Sequence, residues 1–199
     1  MIFLTHKFFF RRTRGICDGW TMKFFRASLF LFASCIAFNC HLHAAAPPHL
    51  LSFAMGAFDF TREKHRTWEF EVEYKFLLKC LSSPWSFLEF RPLVGIMGTA
   101  TESVYAYAGL NFDLLFWDHF LIAPGFAAGY YSAGHGKNLG YPVEFRSGVE
   151  FAYQSLDGHR FGVHFYHLSN ASLSSRNPGE ESLVIYYDIP IKRGFPFFK

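Results

Sequence analysis

The segment Phe161-Gly-Val-His-Phe-Tyr-His-Leu-Ser-Asn170 holds two residue types that do chemistry together, His167 and Ser169. A serine hydroxyl is a poor nucleophile until a base takes its proton. On an extended strand alternate side chains share a face, so His167 and Ser169 point the same way, about 7 Å apart along the chain. Phe161, Val163 and Phe165 lie on that face as well. A later run puts Glu181, Leu183, Ile185, Tyr187, Ile189 and Ile191 on one face, opposite Ser182, Val184, Tyr186 and Asp188. Sequential strands pair as antiparallel neighbours, and the 171–180 connection then brings Glu181 close to His167 and Ser169. A carboxylate in that place fixes the imidazole tautomer and stabilises the imidazolium. The spacing predicts a hydrolytic trio: Ser169 as nucleophile, His167 as base and Glu181 as the group that orients it.

Each member alone has a plainer reading. A single histidine on a strand is ordinarily structural, Ser169-Asn170 can open a turn, and Glu181 can be a solvated loop residue. Their common face, beside an apolar stripe, is what sets the three apart. Polar groups on a wall that meets lipid headgroups are costly without a purpose.

The elements that must position them are short and alternate with a period of two. In the run 67–76, Trp68, Phe70, Val72, Tyr74 and Phe76 oppose Thr67, Glu69, Glu71, Glu73 and Lys75. In the run 143–154, Val143, Phe145, Ser147, Val149, Phe151 and Tyr153 oppose Glu144, Arg146, Gly148, Glu150, Ala152 and Gln154. Eight such strands are expected near 50–60, 66–77, 86–98, 103–115, 120–133, 142–154, 159–170 and 181–191. Turn-forming clusters such as Ser82-Ser83-Pro84, Asp157-Gly158 and Asn177-Pro178-Gly179 separate them. A tilted membrane strand needs about 9–11 residues, which these runs supply.

Of 199 residues, 51% are hydrophobic, 21% aromatic and only 18% charged. That excess of apolar surface excludes a disordered chain, and no heptad or collagen repeat is present. The net charge of +3 comes from scattered residues and gives no nucleic-acid footprint. After residue 46 no apolar run reaches the length of a membrane helix. The expected fold class is therefore all-β: an eight-stranded antiparallel transmembrane β-barrel. A soluble β-sandwich is the rival, because alternation alone does not say which face is inside. Two features favour the inverted sense. The polar faces carry both signs of charge, as a paired interior needs, and aromatic residues gather near the strand ends, as interfacial girdles do.

Residues 1–46 read as an address. Lys23 and Arg26 precede the apolar run Ala27–Phe38, and Ala44, Ala45 and Ala46 follow. That is the order of a secretory signal. Met22 is then the expected start, with 1–21 an upstream extension, cleavage between Ala44 and Ala46, and the barrel over 47–199. Cys17, Cys35 and Cys40 leave with the signal, so Cys80 has no partner for an internal disulfide.

The run His167-Leu-Ser-Asn-Ala-Ser-Leu173, followed by Asn177-Pro-Gly-Glu-Glu181, resembles the PagL-type lipid A 3-O-deacylases of Gram-negative outer membranes. That family shows a His-x-Ser-Asn core, then Asn-Pro-Gly, with a Glu twelve residues after the Ser. Phe145-Arg-Ser-Gly-Val149 resembles its preceding strand. The resemblance is sharp over 142–191 and general over 50–141. It implies an eight-stranded barrel with its reactive residues on the outer, lipid-facing wall. It also implies hydrolysis of the acyl chain esterified at position 3 of lipid A, without a metal. On it, Ser169 is the nucleophile, His167 the base and Glu181 the orienting acid. Asn170 is the expected oxyanion residue, with a backbone N–H of Ala171 or Ser172 beside it. Glu180 is an alternative to Glu181, which the period of the last strand disfavours.

The expected activity is a carboxylic ester hydrolase of the outer membrane acting on lipid A within lipopolysaccharide. No cofactor, metal or nucleic acid is expected, and a homodimer is left open. His119 and His135 sit in loops at no metal-ligand spacing, and His164 faces the other way from His167. The rival functions are a structural or adhesive barrel without turnover and a transferase that moves the acyl chain to another acceptor.

Overall fold

The computed structural model describes residues 49–77 and 88–191. The expected signal with Met22, the 44–46 cleavage region and Cys80 lie outside the described residues. Eight strands run in sequence: β1 (His49–Phe58), β2 (Thr67–Phe76), β3 (Leu88–Thr99), β4 (Val104–Phe116), β5 (Phe120–Ser132), β6 (Val143–Gln154), β7 (Arg160–Ser169) and β8 (Glu180–Pro190). Their bounds depart from the sequence expectation by no more than two residues. Each strand pairs antiparallel with the next, and β8 returns to β1, so the sheet closes into a barrel. Closure removes the exposed edges that an open sheet of this kind would present. At the seam Phe53 lies across from Tyr187 and Ala57 across from Leu183. The Phe60 N–H carries the seam past the end of β1 by donating to the Glu181 carbonyl at 2.9 Å. No helix among the described residues is long and apolar enough to cross a membrane.

The barrel is inverted relative to a soluble sandwich. Phe70 and Ile185 are 54% and 51% exposed, whereas Glu69 and Glu150 are 0% and 1% exposed. The lumen is filled by paired charges. Lys75 Nζ donates to Glu150 Oε2 at 2.9 Å and to Asp188 Oδ2 at 3.3 Å. The Arg146 guanidinium pairs with Glu71 and Glu73 and lies over the Tyr107 ring, 4.1 Å from its centroid. Arg91 and Arg160 both donate to Asp113 Oδ2, at 2.8 and 2.7 Å. Such pairs balance desolvation against Coulomb attraction, so they add little net stability, but removing one partner leaves a buried uncompensated charge. His164 is buried in this lumen, 6% exposed.

Toward one end the lumen turns apolar. Leu139, from the 133–142 connection, packs in a cluster with Phe58, Tyr131 and Leu168. The connections 59–66, 100–103, 133–142 and 170–179 all lie at this end, and the barrel's first and last residues lie at the other. Aromatic side chains mark both rims on the outer wall. Trp68 and Tyr130 stand exposed near the loop end, and Trp117, Phe120 and Tyr153 near the opposite end, as membrane-interface belts require.

Candidate active site

The pleat of β7 decides which of its polar residues leave the lumen. Arg160, His164 and Tyr166 point inward and are buried, whereas Phe161, Val163 and Phe165 are exposed to the outside. His167 and Ser169 continue that outward row and are half-buried. On β8 the same rule sends Glu181, Leu183, Ile185 and Tyr187 outward. The register places His167 directly across from Glu181. His167 Nδ1 lies 3.2 Å from Glu181 Oε1. The carboxylate thus faces one ring nitrogen and leaves Nε2 as the other, which is how an acid sets the tautomer of a base. Ser169 is two residues further along the same outward row, and its hydroxyl has no hydrogen-bond partner among the described residues. The three residues expected to act together therefore share one wall at the loop end, with the His–Glu pair in contact.

Glu180 does not compete for the role. It points into the lumen, fully buried, and its Oε2 accepts from the Ser182 hydroxyl at 2.9 Å and from the Asp59 N–H at 3.2 Å.

Both Nδ2 protons of Asn170, the residue expected at the oxyanion, are engaged by backbone carbonyls. They reach the Leu139 carbonyl at 3.0 Å and the Arg176 carbonyl at 2.9 Å. Its own N–H donates to Asn177 Oδ1 at 3.1 Å. Asn170 is a fully buried pin between the 133–142 and 170–179 connections. The residues after it are the ones with open donors. Ala171 and Ser172 hold left-handed φ values of 49° and 64°. This conformation costs a non-glycine residue about 1–3 kcal/mol and clusters at functional sites. Neither N–H finds an acceptor among the described residues.

Three further residues, Thr61, Arg62 and Gly179, border the trio. Thr61 Oγ1 donates to Glu181 Oε2 at 2.6 Å. Arg62 Nη1 donates to the carbonyls of Pro178 and Gly179 at 3.1 and 3.0 Å. Gly179 adopts φ of 57°, and a Cβ there would collide with Cε1 of the His167 ring. A glycine is needed both for that turn and for the close approach of imidazole and backbone. Of these only Gly179 carries a signal in sequence, as part of the turn cluster Asn177-Pro178-Gly179.

Below the trio, a shallow cavity of about 410 Å³ opens on the outer wall, lined by Phe53, Met55, Phe70, Val72, Ile185 and Tyr187 among others. Among the described residues no group of His, Cys, Asp and Glu is arranged to hold a metal ion. The surroundings fit a reaction on an apolar substrate with an ionisable trio at one end of the wall.

A family model described as lipid A 3-O-deacylase (PagL) matches residues 51–190. Among solved structures, the barrel is similar to that of the outer membrane enzyme PagL. The TM-score is 0.58 at 20% sequence identity, covering 71% of this chain and 99% of that one. The backbone structure of the Yersinia pestis outer membrane protein Ail in a phospholipid bilayer nanodisc also aligns, with a TM-score of 0.42 and 10% identity over 70% of this chain and 99% of that one. No curated protein sequence matches this chain.

Proposed function

Because the chain belongs to the lipid A 3-O-deacylase (PagL) family and its barrel is of the outer-membrane kind, we propose that it removes the 3-O-linked acyl chain of lipid A through Ser169, His167 and Glu181. Ser169 Oγ attacks the ester carbonyl while His167 Nε2 takes its proton. Glu181, on the far side of the ring, holds Nδ1–H and stabilises the imidazolium. The oxyanion is received by the N–H groups of Ala171 and Ser172, a role their left-handed turn and open donors support. When the tetrahedral intermediate collapses, the proton on His167 passes to the leaving sugar alkoxide. Water, deprotonated by the same histidine, then releases the fatty acid and restores Ser169. The acyl chain lies along the apolar wall below, where Phe53, Met55, Ile185 and Tyr187 line the cavity.

The observation that carries this reading is the 3.2 Å contact between His167 Nδ1 and Glu181 Oε1 on a wall whose other side chains are lipid-facing. Catalytic hydrogen bonds are often long without substrate, so the Ser169–His167 contact is expected to close when the ester binds. Mass spectrometry of lipid A from cells with and without the protein tests the reading. Loss of one 3-hydroxyacyl mass supports it. An unchanged profile would instead mean a barrel without turnover, and a gained chain would mean transfer to another acceptor. Ser169→Ala should abolish the change while the protein still shows the gel shift on heating of a folded barrel.

A further inference from the structure

The reactive trio draws on two strands at the end of the chain, but the segment that touches Glu181 from outside them comes from the other end of the sequence. Phe60 N–H bonds the Glu181 carbonyl, and Arg62 N–H closes a tight turn onto the Asp59 carbonyl at 3.0 Å. That turn presents two adjacent side chains to the site. The Thr61 hydroxyl reaches Glu181 Oε2 at 2.6 Å, within the short range of about 2.5–2.7 Å typical of a hydroxyl donating to a carboxylate. With Oε2 held, Oε1 is left facing His167 Nδ1. The Arg62 guanidinium grips the carbonyls of Pro178 and Gly179, and Gly179 abuts the Cε1–Nε2 edge of the imidazole. The imidazole is thus flanked by the carboxylate at one edge and by a backbone segment at the other. One two-residue unit ties both.

We propose that Thr61 is a positioning residue of the hydrolytic site, fixing the Glu181 carboxylate toward His167, and that Arg62 fixes the 178–179 backbone against the other edge of the ring. This rests on the triad reading above. The Thr61 hydroxyl bonds Glu181 and makes no hydrogen bond to His167 or Ser169 among the described residues, so its effect passes through Glu181. A carboxylate free to rotate would spend less time aligned with Nδ1–H, and the imidazolium formed in the transition state would lose part of its fixed counter-charge. That is a loss of rate rather than of substrate binding.

The test uses purified full-length protein in detergent micelles with lipid A as substrate. Thr61→Val should lower kcat about tenfold, the scale of one charge-assisted hydrogen bond, with KM within about twofold. It should also displace the acid limb of the kcat–pH profile. Thr61→Ser, which restores the hydroxyl, should return both kcat and the profile. If Thr61→Val runs unfolded on a heat-modifiability gel, Thr61→Ala takes its place. Arg62→Gln should reduce kcat by a smaller factor, about threefold. The proposal is overturned by a folded Thr61→Val or Thr61→Ala enzyme with unchanged kcat and pH profile. It is equally overturned by one whose KM rises at constant kcat, which would make Thr61 a substrate contact. Ser169→Ala separates the two levels. Activity surviving in Ser169→Ala sinks the triad, whereas an inactive Ser169→Ala with an unperturbed Thr61→Val sinks only the positioning role.

Discussion

Glu180 and Glu181 are adjacent in sequence and identical in chemistry, and the barrel wall separates them. Glu180 points inward, fully buried, with the Ser182 hydroxyl and the Asp59 N–H donating to its Oε2 and no partner for its Oε1 among the described residues. Glu181 points outward and meets an imidazole, a hydroxyl and a guanidinium. The first is one of many lumen carboxylates whose partners are fixed by packing. The second lies on the outer wall at the loop end, directly across from His167. Residue type does not decide which carboxylate meets the imidazole. The parity of its position on β8 does, since successive side chains leave a strand on opposite faces.

That contrast can be broken most severely at its reactive end. Ser169→Ala should lower the deacylation rate by about four to six orders of magnitude, as removing a triad nucleophile does, measured by fatty acid release from lipid A. Glu181→Gln keeps the shape and removes the charge. It should cost about a thousandfold or more in kcat, with the heat-dependent gel shift of the folded barrel unchanged. On the lumen side, Arg146→Met strands Glu71 without its cation and leaves Glu73 with only Lys75, 3.7 Å away. It should cost about 3–5 kcal/mol of stability, read as a lower urea midpoint in detergent, while the folded fraction keeps its activity. The mildest is Glu180→Gln, one residue from Glu181, which should leave kcat within about twofold. If Glu180→Gln proved as damaging as Glu181→Gln, the face-by-face division of labour would fail.

Much of this architecture can be read from residue order. The period-two runs, with Glu69, Glu71, Glu73 and Lys75 against Trp68, Phe70 and Val72, give strands of the observed lengths. Mixed charge on one face already favours the inverted barrel. The placement of His167, Ser169 and Glu181 on one wall follows from the same alternation. Other parts could not be read, for a physical reason. Asn170 lies next to Ser169 and has a side chain able to donate, but its amide is claimed by carbonyls at Leu139 and Arg176. The first of these arrives from a different loop, 31 positions away. Thr61 and Glu181 are separated by 120 positions and meet only because the last strand pairs with the first. A pattern local to one strand does not contain such a contact. Gly179 was visible as a turn residue, and only the position of the imidazole gives it a second reason to be glycine.

The pairing of β1 with β8 has a temporal meaning. A nascent sheet that has hydrogen-bonded all its consecutive strands but not yet its two ends would already hold His167 across from Glu181, yet would lack Thr61 and Arg62 beside them. Competence for ester cleavage would then mature with the final zippering step of assembly. Until the two ends of the sheet meet, the Glu181 carboxylate would lack the Thr61 hydroxyl that braces it.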